Sequence, residues 1–181
     1  YNDHKNEVEV VEGEVVLQKI DVPVEYDFNR NANGRYLNTK DNINGVLMTH
    51  GVDVRYNGAD LGMESDVDAL TRATEDAFGS VDILVNNAAY NPAHPKERTT
   101  VDKYNDDVFV TMMDVDINGT YYCSKCAARA MIEQKSGSII NIASIAGKVP
   151  IRNQIGHVVG KAAVISLAEA MALELGHHGI R

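Results

Sequence analysis

Short apolar runs alternate with longer segments of helical periodicity along the second half of the chain. Three runs predict strands, at residues 52–56, 81–85 and 138–143. Three segments predict helices, at 65–78, 101–134 and 155–175, the second interrupted around Asn118 and Gly119. Strands that alternate with helices through short connections predict an α/β fold with a parallel sheet. The run at 81–85 is apolar almost throughout, which is typical of a parallel strand covered on both faces.

The first of these helices carries signals at both of its ends. Ser65 and Asp68 form a Ser-x-x-Asp pattern, which predicts a capping box at the helix start. Gly79 follows the last apolar position and predicts the helix end.

The N-terminal quarter has a different pattern. A β-branched run at 8–24 predicts a strand, and the Asn-, Asp- and Gly-rich stretch that follows Pro23 predicts turns and loop. We therefore predict a divergent N-terminal segment over residues 1–45 and a regular α/β domain over residues 46–181.

Composition narrows the class of protein. The chain has 181 residues, of which 44% are apolar, and this length can bury a sizeable core. The net charge of −9 argues against a nucleic acid or an anionic membrane as partner, since both repel a surface of this sign. No apolar run approaches the roughly 20 residues of a membrane-spanning helix. We expect a cytoplasmic protein.

Two cysteines, Cys123 and Cys126, form a C-x-x-C. A redox pair of this spacing normally lies at a helix N-terminus just after a strand, whereas this pair lies in a segment that reads as helix interior. A zinc site would need two further ligands at suitable spacing. We expect these thiols to pack inside the protein and predict no metal site, with redox chemistry as the alternative.

Polar or small residues follow the predicted strands at the places where ligands bind open parallel sheets. Asp60 follows the first strand, Asn86 and Ala88 follow the second, and Ser144 follows the third. Ligands of such sheets bind beyond the carboxyl ends of the strands. The pattern therefore predicts a cofactor crevice, although position alone does not name the cofactor.

Three segments carry a family resemblance. Residues 82–89 resemble the Asn-Asn-Ala-Gly strand end of short-chain dehydrogenases/reductases, residues 137–144 resemble the strand with that family's catalytic serine, and residues 156–163 resemble its Tyr-x-x-x-Lys helix. Thirteen positions separate Ser144 from His157, which is the family's interval between serine and tyrosine. The resemblance covers residues 46–181.

The resemblance implies a Rossmann-like, doubly wound parallel sheet with helices on both faces. It also implies hydride transfer between NAD or NADP and a small alcohol or carbonyl substrate. Matched residue by residue, Ser144 takes the place of the catalytic serine and Lys161 that of the lysine, which also binds the nicotinamide ribose. His157 stands at the tyrosine position and Asp116 at the asparagine position.

Further positions follow from the same resemblance. Asp60, Asn86 and Ala88 would line the adenosine side of the cofactor site. Asn118, two residues beyond Asp116, is the alternative to it if the helix register is shifted.

Several departures from the family pattern leave two functional hypotheses open. The chain contains no Gly-x-x-x-Gly-x-Gly; the segment from Gly13 resembles the start of the family's first strand, but residues 18–21 replace its glycine turn. The chain also stops at Arg181, where the family continues into another strand, so we expect a sheet with missing elements. An uncovered sheet edge would favour a homo-oligomer. The first hypothesis is an oxidoreductase, with full or impaired activity; the second is a catalytically inactive fragment or pseudoenzyme with at most an interaction role.

Overall fold

The computed structural model describes residues 7–11, 14–20, 55, 57–90 and 98–181. The chain divides into two units, Tyr1–Tyr56 and Asn57–Arg181. The predicted loop at 25–45 and the predicted strand at 52–56 lie outside the described residues, apart from Arg55.

A β-hairpin forms the described part of the first unit. Strands β1 (Glu7–Val11) and β2 (Glu14–Ile20) pair antiparallel, with Val10 opposite Val15. The prediction of one strand over 8–24 was therefore wrong, and so was the comparison of the segment from Gly13 with the first strand of a parallel sheet. The sequence contains the physical reason, because Glu12-Gly13 separates two β-branched runs, a pattern that favours a hairpin.

The second unit alternates helices with two parallel strands. Its elements in chain order are α1 (Glu64–Phe78), β3 (Ile83–Asn86), α2 (Asp106–Met113), α3 (Thr120–Gln134), β4 (Ser138–Asn141) and α4 (Ile155–Leu175). In the β3–β4 pair, Leu84 lies opposite Ile139 and Asn86 opposite Asn141. The predicted βαβ arrangement is confirmed for this pair.

A π-helical turn, Asp114–Gly119, joins α2 to α3. The backbone stays helical through it, so residues 106–134 form one continuous helix with a local widening. The predicted interruption around Asn118 and Gly119 lies inside this turn. Insertions of this kind are often found at functional sites.

Of the two signals predicted for the ends of α1, the structure confirms the glycine at its end and not the capping box at its start. The helix ends at Gly79, which has a φ of 85° as expected for a left-handed cap. The predicted capping box is wrong, because the helix starts one residue before Ser65, and Met63 at the cap position offers no side-chain hydrogen bond. Asp68 instead pairs with Arg72 at 2.6 Å, one turn further along the helix.

Helix α3 supplies half of the buried apolar residues that the structure describes. Met131, which is fully buried, and Ala127 pack with Val81 and Ile180, next to Leu84 of β3. The Gln134 side chain joins the end of α3 to the segment just before β3. Its Oε1 accepts from the N–H of Val81 and its Nε2 donates to the carbonyl of Val81, both at 3.2 Å. The strands are thereby held against α3, which sets the position of their carboxyl ends.

The opposite face of the β3–β4 pair is exposed in the described structure. Val85 is 53% and Ile140 44% accessible, whereas their neighbours Leu84 and Ile139 pack against the core. The described helices thus cover one face of these strands, as in a sheet of which only some elements are described. No described helix combines the length and the hydrophobicity needed to span a bilayer.

Candidate functional site

The carboxyl end of β4 is tied to helix α4 by a buried lysine. Lys161 is only 6% accessible, and its Nζ donates a 2.7 Å hydrogen bond to the main-chain oxygen of Ile142. Ser144 follows two residues later in the chain. This contact brings Ser144 and Lys161 to the same end of the strand.

A close backbone contact strengthens this arrangement. Ser144 precedes the 3-10 turn Ile145–Gly147, which packs against α4. A Cβ atom at Gly147 would lie 2.7 Å from the carbonyl carbon and oxygen of Lys161, so only glycine allows the turn to approach the helix this closely. The turn that carries Ser144 is therefore held against the backbone of Lys161.

The Ser144 side chain has a defined role in its own turn. Its Oγ accepts a 3.1 Å hydrogen bond from the N–H of Ala146, and the residue is half-buried with an extended backbone. Because a hydroxyl can accept and donate at once, the Ser144 proton is left to donate to another oxygen.

His157 lies one helical turn before Lys161 on α4. Residues four apart share one face of a helix, so the half-buried imidazole and the lysine are neighbours. Between them Gly160 contacts the π-helical turn, since a Cβ atom there would lie 3.3 Å from Oδ2 of Asp116. The three predicted side chains His157, Lys161 and Asp116 are thus brought together.

Asp116 is the most deeply buried member of this group. It is 1% accessible, and its Oδ1 accepts a 2.7 Å hydrogen bond from the N–H of Tyr90. Its Oδ2 has no hydrogen-bond partner among the described residues. Burial raises the pKa of the Asp116 carboxyl; the Tyr90 hydrogen bond opposes this rise, and so do the charges of Lys161 and His157.

The alternative asparagine lies elsewhere. Asn118 is exposed, and its amide donates a 2.9 Å hydrogen bond to Asp114 on the same turn. The structure therefore brings Asp116, and not Asn118, next to α4.

Asn86 joins three elements at the end of β3. Its amide nitrogen donates to Oδ1 of Asn141 at 2.8 Å and to Oγ of the buried Ser124 at 3.0 Å. Its carbonyl accepts from the N–H of Ile142 at 2.9 Å. Sequence reasoning missed Ser124 and Asn141, although a polar Asn141 inside an apolar strand was an available signal.

A cleft of about 160 Å³ lies beside this end of the sheet. It contains the predicted Asn86 and Ala88, and its lining comprises Leu61, Leu70, Leu84, Val85, Asn86, Asn87, Ala88, Val115, Gly119, Thr120 and Cys123. The predicted Asp60 is not among these lining residues, although it precedes Leu61. Its Oδ1 accepts a 2.9 Å hydrogen bond from the N–H of Gly62, two residues further along the chain.

The two cysteines lie in the interior of α3. Both are free and buried, and they pack with Val67 of α1. Burial raises the pKa of both the Cys123 and Cys126 thiols, which opposes formation of the reactive thiolate. This placement agrees with the predicted packing role. Among the described residues, no group of three or more His, Cys, Asp or Glu side chains could hold a metal ion.

Comparisons with known proteins identify the family of the chain. The family model described as short chain dehydrogenase matches residues 28–181. The chain is 36% identical over 139 residues to galactitol 2-dehydrogenase from Rhizobium johnstonii, a match that covers 75% of this chain and 52% of that protein. The chain spans about half the length of the curated relatives it matches.

Solved structures extend the comparison to the fold. NAD+-bound xylitol dehydrogenase superposes with a TM-score of 0.72 at 31% identity, over 76% of this chain and 51% of that one. Gluconate 5-dehydrogenase from Burkholderia cenocepacia, in complex with NADP and tartrate, has the same TM-score at 25% identity, over 84% and 56% of the two chains. The predicted Rossmann-like α/β fold is confirmed. The chain belongs to the short-chain dehydrogenase/reductase family.

Proposed function

We propose that this protein is an NAD(P)-dependent oxidoreductase that acts on a small alcohol or carbonyl compound. The observation that carries the proposal is the meeting of Ser144, Lys161 and Asp116 at the carboxyl end of β4. The hydrogen bond from Lys161 to Ile142, the contact of Gly147 with α4 and the contact of Asp116 with Gly160 produce it. His157 lies on the same face of α4 as Lys161.

The chain's residues fit a nicotinamide nucleotide. Lys161 is a buried cation at the strand end, and the cleft beside Asn86 and Ala88 is mostly apolar with convergent polar groups, as nucleotide sites commonly are. Lys161 would hold the nicotinamide ribose, and Asp60, Asn86 and Ala88 would lie toward the adenosine. The cofactor supplies the hydride donor or acceptor. NAD and NADP both remain candidates, since solved relatives contain one or the other.

Each side chain then has a chemical task. Ser144 donates a hydrogen bond from its hydroxyl to the substrate oxygen and so polarises the reacting bond. His157 exchanges a proton with that oxygen, because imidazoles gain and lose protons near neutral pH. Lys161 positions the nicotinamide ribose. Asp116, at the family's asparagine position, places a carboxyl group next to Lys161 and His157.

Calorimetric titration of the full chain with NAD+, NADP+ and their reduced forms tests the proposal. We expect saturable binding of at least one form, followed by measurable turnover when a panel of small polyols and ketoses is added. Absence of binding at millimolar cofactor would overturn the oxidoreductase assignment.

A non-catalytic member of the same family is the second candidate. It is favoured by His157 and Asp116 at positions where the family pattern has tyrosine and asparagine, and by the missing glycine motif. Replacing His157→Tyr separates the two candidates once cofactor binding is established. A gain in turnover supports an impaired enzyme, whereas no turnover in either form supports the non-catalytic reading.

The remaining assignments concern surroundings and partners. We propose a cytoplasmic protein without nucleic-acid or membrane partners, on the basis of the net charge of −9 and the two free thiols. A homo-oligomer and a domain boundary near residue 45 stay predictions. Size-exclusion chromatography with light scattering tests the oligomer, and limited proteolysis tests the boundary.

A further inference from the structure

Asp116 is an unusual residue for its surroundings. A carboxyl group that is 1% accessible gives up its hydration, and in the described part of the chain Tyr90 donates to Oδ1 while Oδ2 has no hydrogen-bond partner. Burying a carboxylate costs several kcal/mol unless charges or donors offset the loss. A buried carboxylate at position 116 therefore needs a nearby positive charge to offset its lost hydration.

Among the residues that the structure describes, the cations that act on Asp116 come from one helix. Lys161 and His157 approach from α4, on either side of Gly160, against which the Asp116 side chain packs. From the described residues just after β3, 87–90, the main-chain N–H of Tyr90 donates to Asp116. On the same π-helical turn, Asp114 is exposed and bonded to Asn118.

Two positive charges one turn apart on a helix repel each other. A protonated His157 beside Lys161 would form such a pair in a partly buried site. An ionised Asp116 brings the charge of the group from +2 to +1 and lies within electrostatic reach of both cations. A proton-carrying imidazole at position 157 and a carboxyl at position 116 are thus complementary replacements of the family's phenol and amide.

We propose that Asp116 is the counter-charge of His157, a positioning residue whose carboxylate stabilises the imidazolium that protonates the substrate oxygen. The proposal rests on the proposed oxidoreductase function. Reduction of the carbonyl needs a hydride on carbon, which a bound dihydronicotinamide would supply, and a proton on oxygen, which the imidazolium of His157 would supply to give the alcohol. His157 is left neutral and regains a proton from solvent.

A pH-dependent double-mutant cycle on the full chain without cofactor tests the charge pair. The variants are Asp116→Asn, His157→Gln and the double replacement, and the measurement is the thermal unfolding midpoint. The pKa of Asp116 is raised in the folded state, so its contribution to stability is complete below the unfolded-state pKa and is lost as pH rises through the folded-state value. Asp116→Asn should therefore raise the midpoint at neutral pH.

The two replacements should be coupled only where imidazole is charged. At about pH 6 the gain from Asp116→Asn should be larger in the His157→Gln background, by at least about 2 °C, because the carboxylate has lost its imidazolium partner. At about pH 9 the coupling should vanish. Additive effects at both pH values, or equal coupling at both, would overturn the proposal.

Asp114→Asn is the matched control, since Asp114 belongs to the same turn but is exposed. Its cycle with His157→Gln should be additive at both pH values. A kinetic readout links the pair to the reaction: in Asp116→Asn, the pH at which carbonyl reduction loses half its rate should fall, because the negative charge beside the proton donor is gone. An unchanged pH profile in Asp116→Asn would contradict the proposal that Asp116 stabilises the imidazolium during the reaction. If Asp116 and His157 are coupled but the chain binds no nicotinamide nucleotide, the charge pair exists and the proposed oxidoreductase function fails.

Discussion

The ammonium group of Lys161 donates a 2.7 Å hydrogen bond to the main-chain oxygen of Ile142, just past the last residue of β4. A charged donor makes such a bond stronger than a neutral one, and its burial shields it from water. Because Ile142 precedes Ser144 by two residues, this bond aligns the helix and the serine turn with each other. The Lys161 side chain therefore helps to fix where the turn of Ser144 lies relative to α4.

Replacing Lys161→Met should weaken nicotinamide binding at least about tenfold. The change removes a charge-assisted hydrogen-bond donor, a loss of about 1.5–3 kcal/mol. Lys125→Met is the control, because Lys125 is an α3 lysine that pairs with Glu64 at 2.6 Å, away from β4. Calorimetric Kd values measure both. Equal affinities for Lys161→Met and the unaltered chain would contradict the assigned role of the lysine.

Ser144→Ala should lower kcat by about two orders of magnitude, since it removes the donor aimed at the substrate oxygen. The same change deletes the acceptor for the Ala146 N–H, so we expect a stability loss of about 1 kcal/mol. Ser65→Ala, on the exposed start of α1, should leave both quantities nearly unchanged. A Ser144→Ala variant with full turnover would show that the hydroxyl does not act on the substrate.

Asn86→Ala should lower the free energy of unfolding by about 1–3 kcal/mol. It leaves Ser124 Oγ and Asn141 Oδ1 without the amide that now joins them. The neighbouring Asn87 is exposed, and Asn87→Ala should change stability by less than about 0.5 kcal/mol. Urea denaturation of both variants provides the comparison, and equal losses would mean that the Asn86 contacts contribute little.

Cys123 and Cys126 should react slowly with a thiol reagent in the folded protein. Burial hides both sulfur atoms and raises the pKa of both thiols, so the thiolate is scarce at about pH 8. Absorbance after addition of an aromatic disulfide should show little release in buffer and two equivalents in urea. Rapid release in buffer would revive the redox interpretation of the C-x-x-C.

Local signals in the sequence were sufficient for most elements of the second unit. The predicted helix at 155–175 coincides with α4, because it is a long and largely apolar segment that is followed by Gly176. The capping box at Ser65 failed, since the start of α1 is set by the turn in which Asp66 accepts a hydrogen bond from the N–H of Asp60. The hairpin at 7–20 was missed because the two β-branched runs on either side of Glu12-Gly13 were taken together as one strand.

The sequence by itself determined the family, the order of strands and helices after residue 57, and the positions of Ser144, His157, Lys161 and Asp116. These follow from residue types and spacings along one chain. Only the tertiary structure decided that Asp116 rather than Asn118 faces α4, and that its Oδ2 lies beside Gly160 without a hydrogen-bond partner among the described residues. The reason is that burial and charge proximity arise where separate elements pack together, and the π-helical turn sets which side chain points inward.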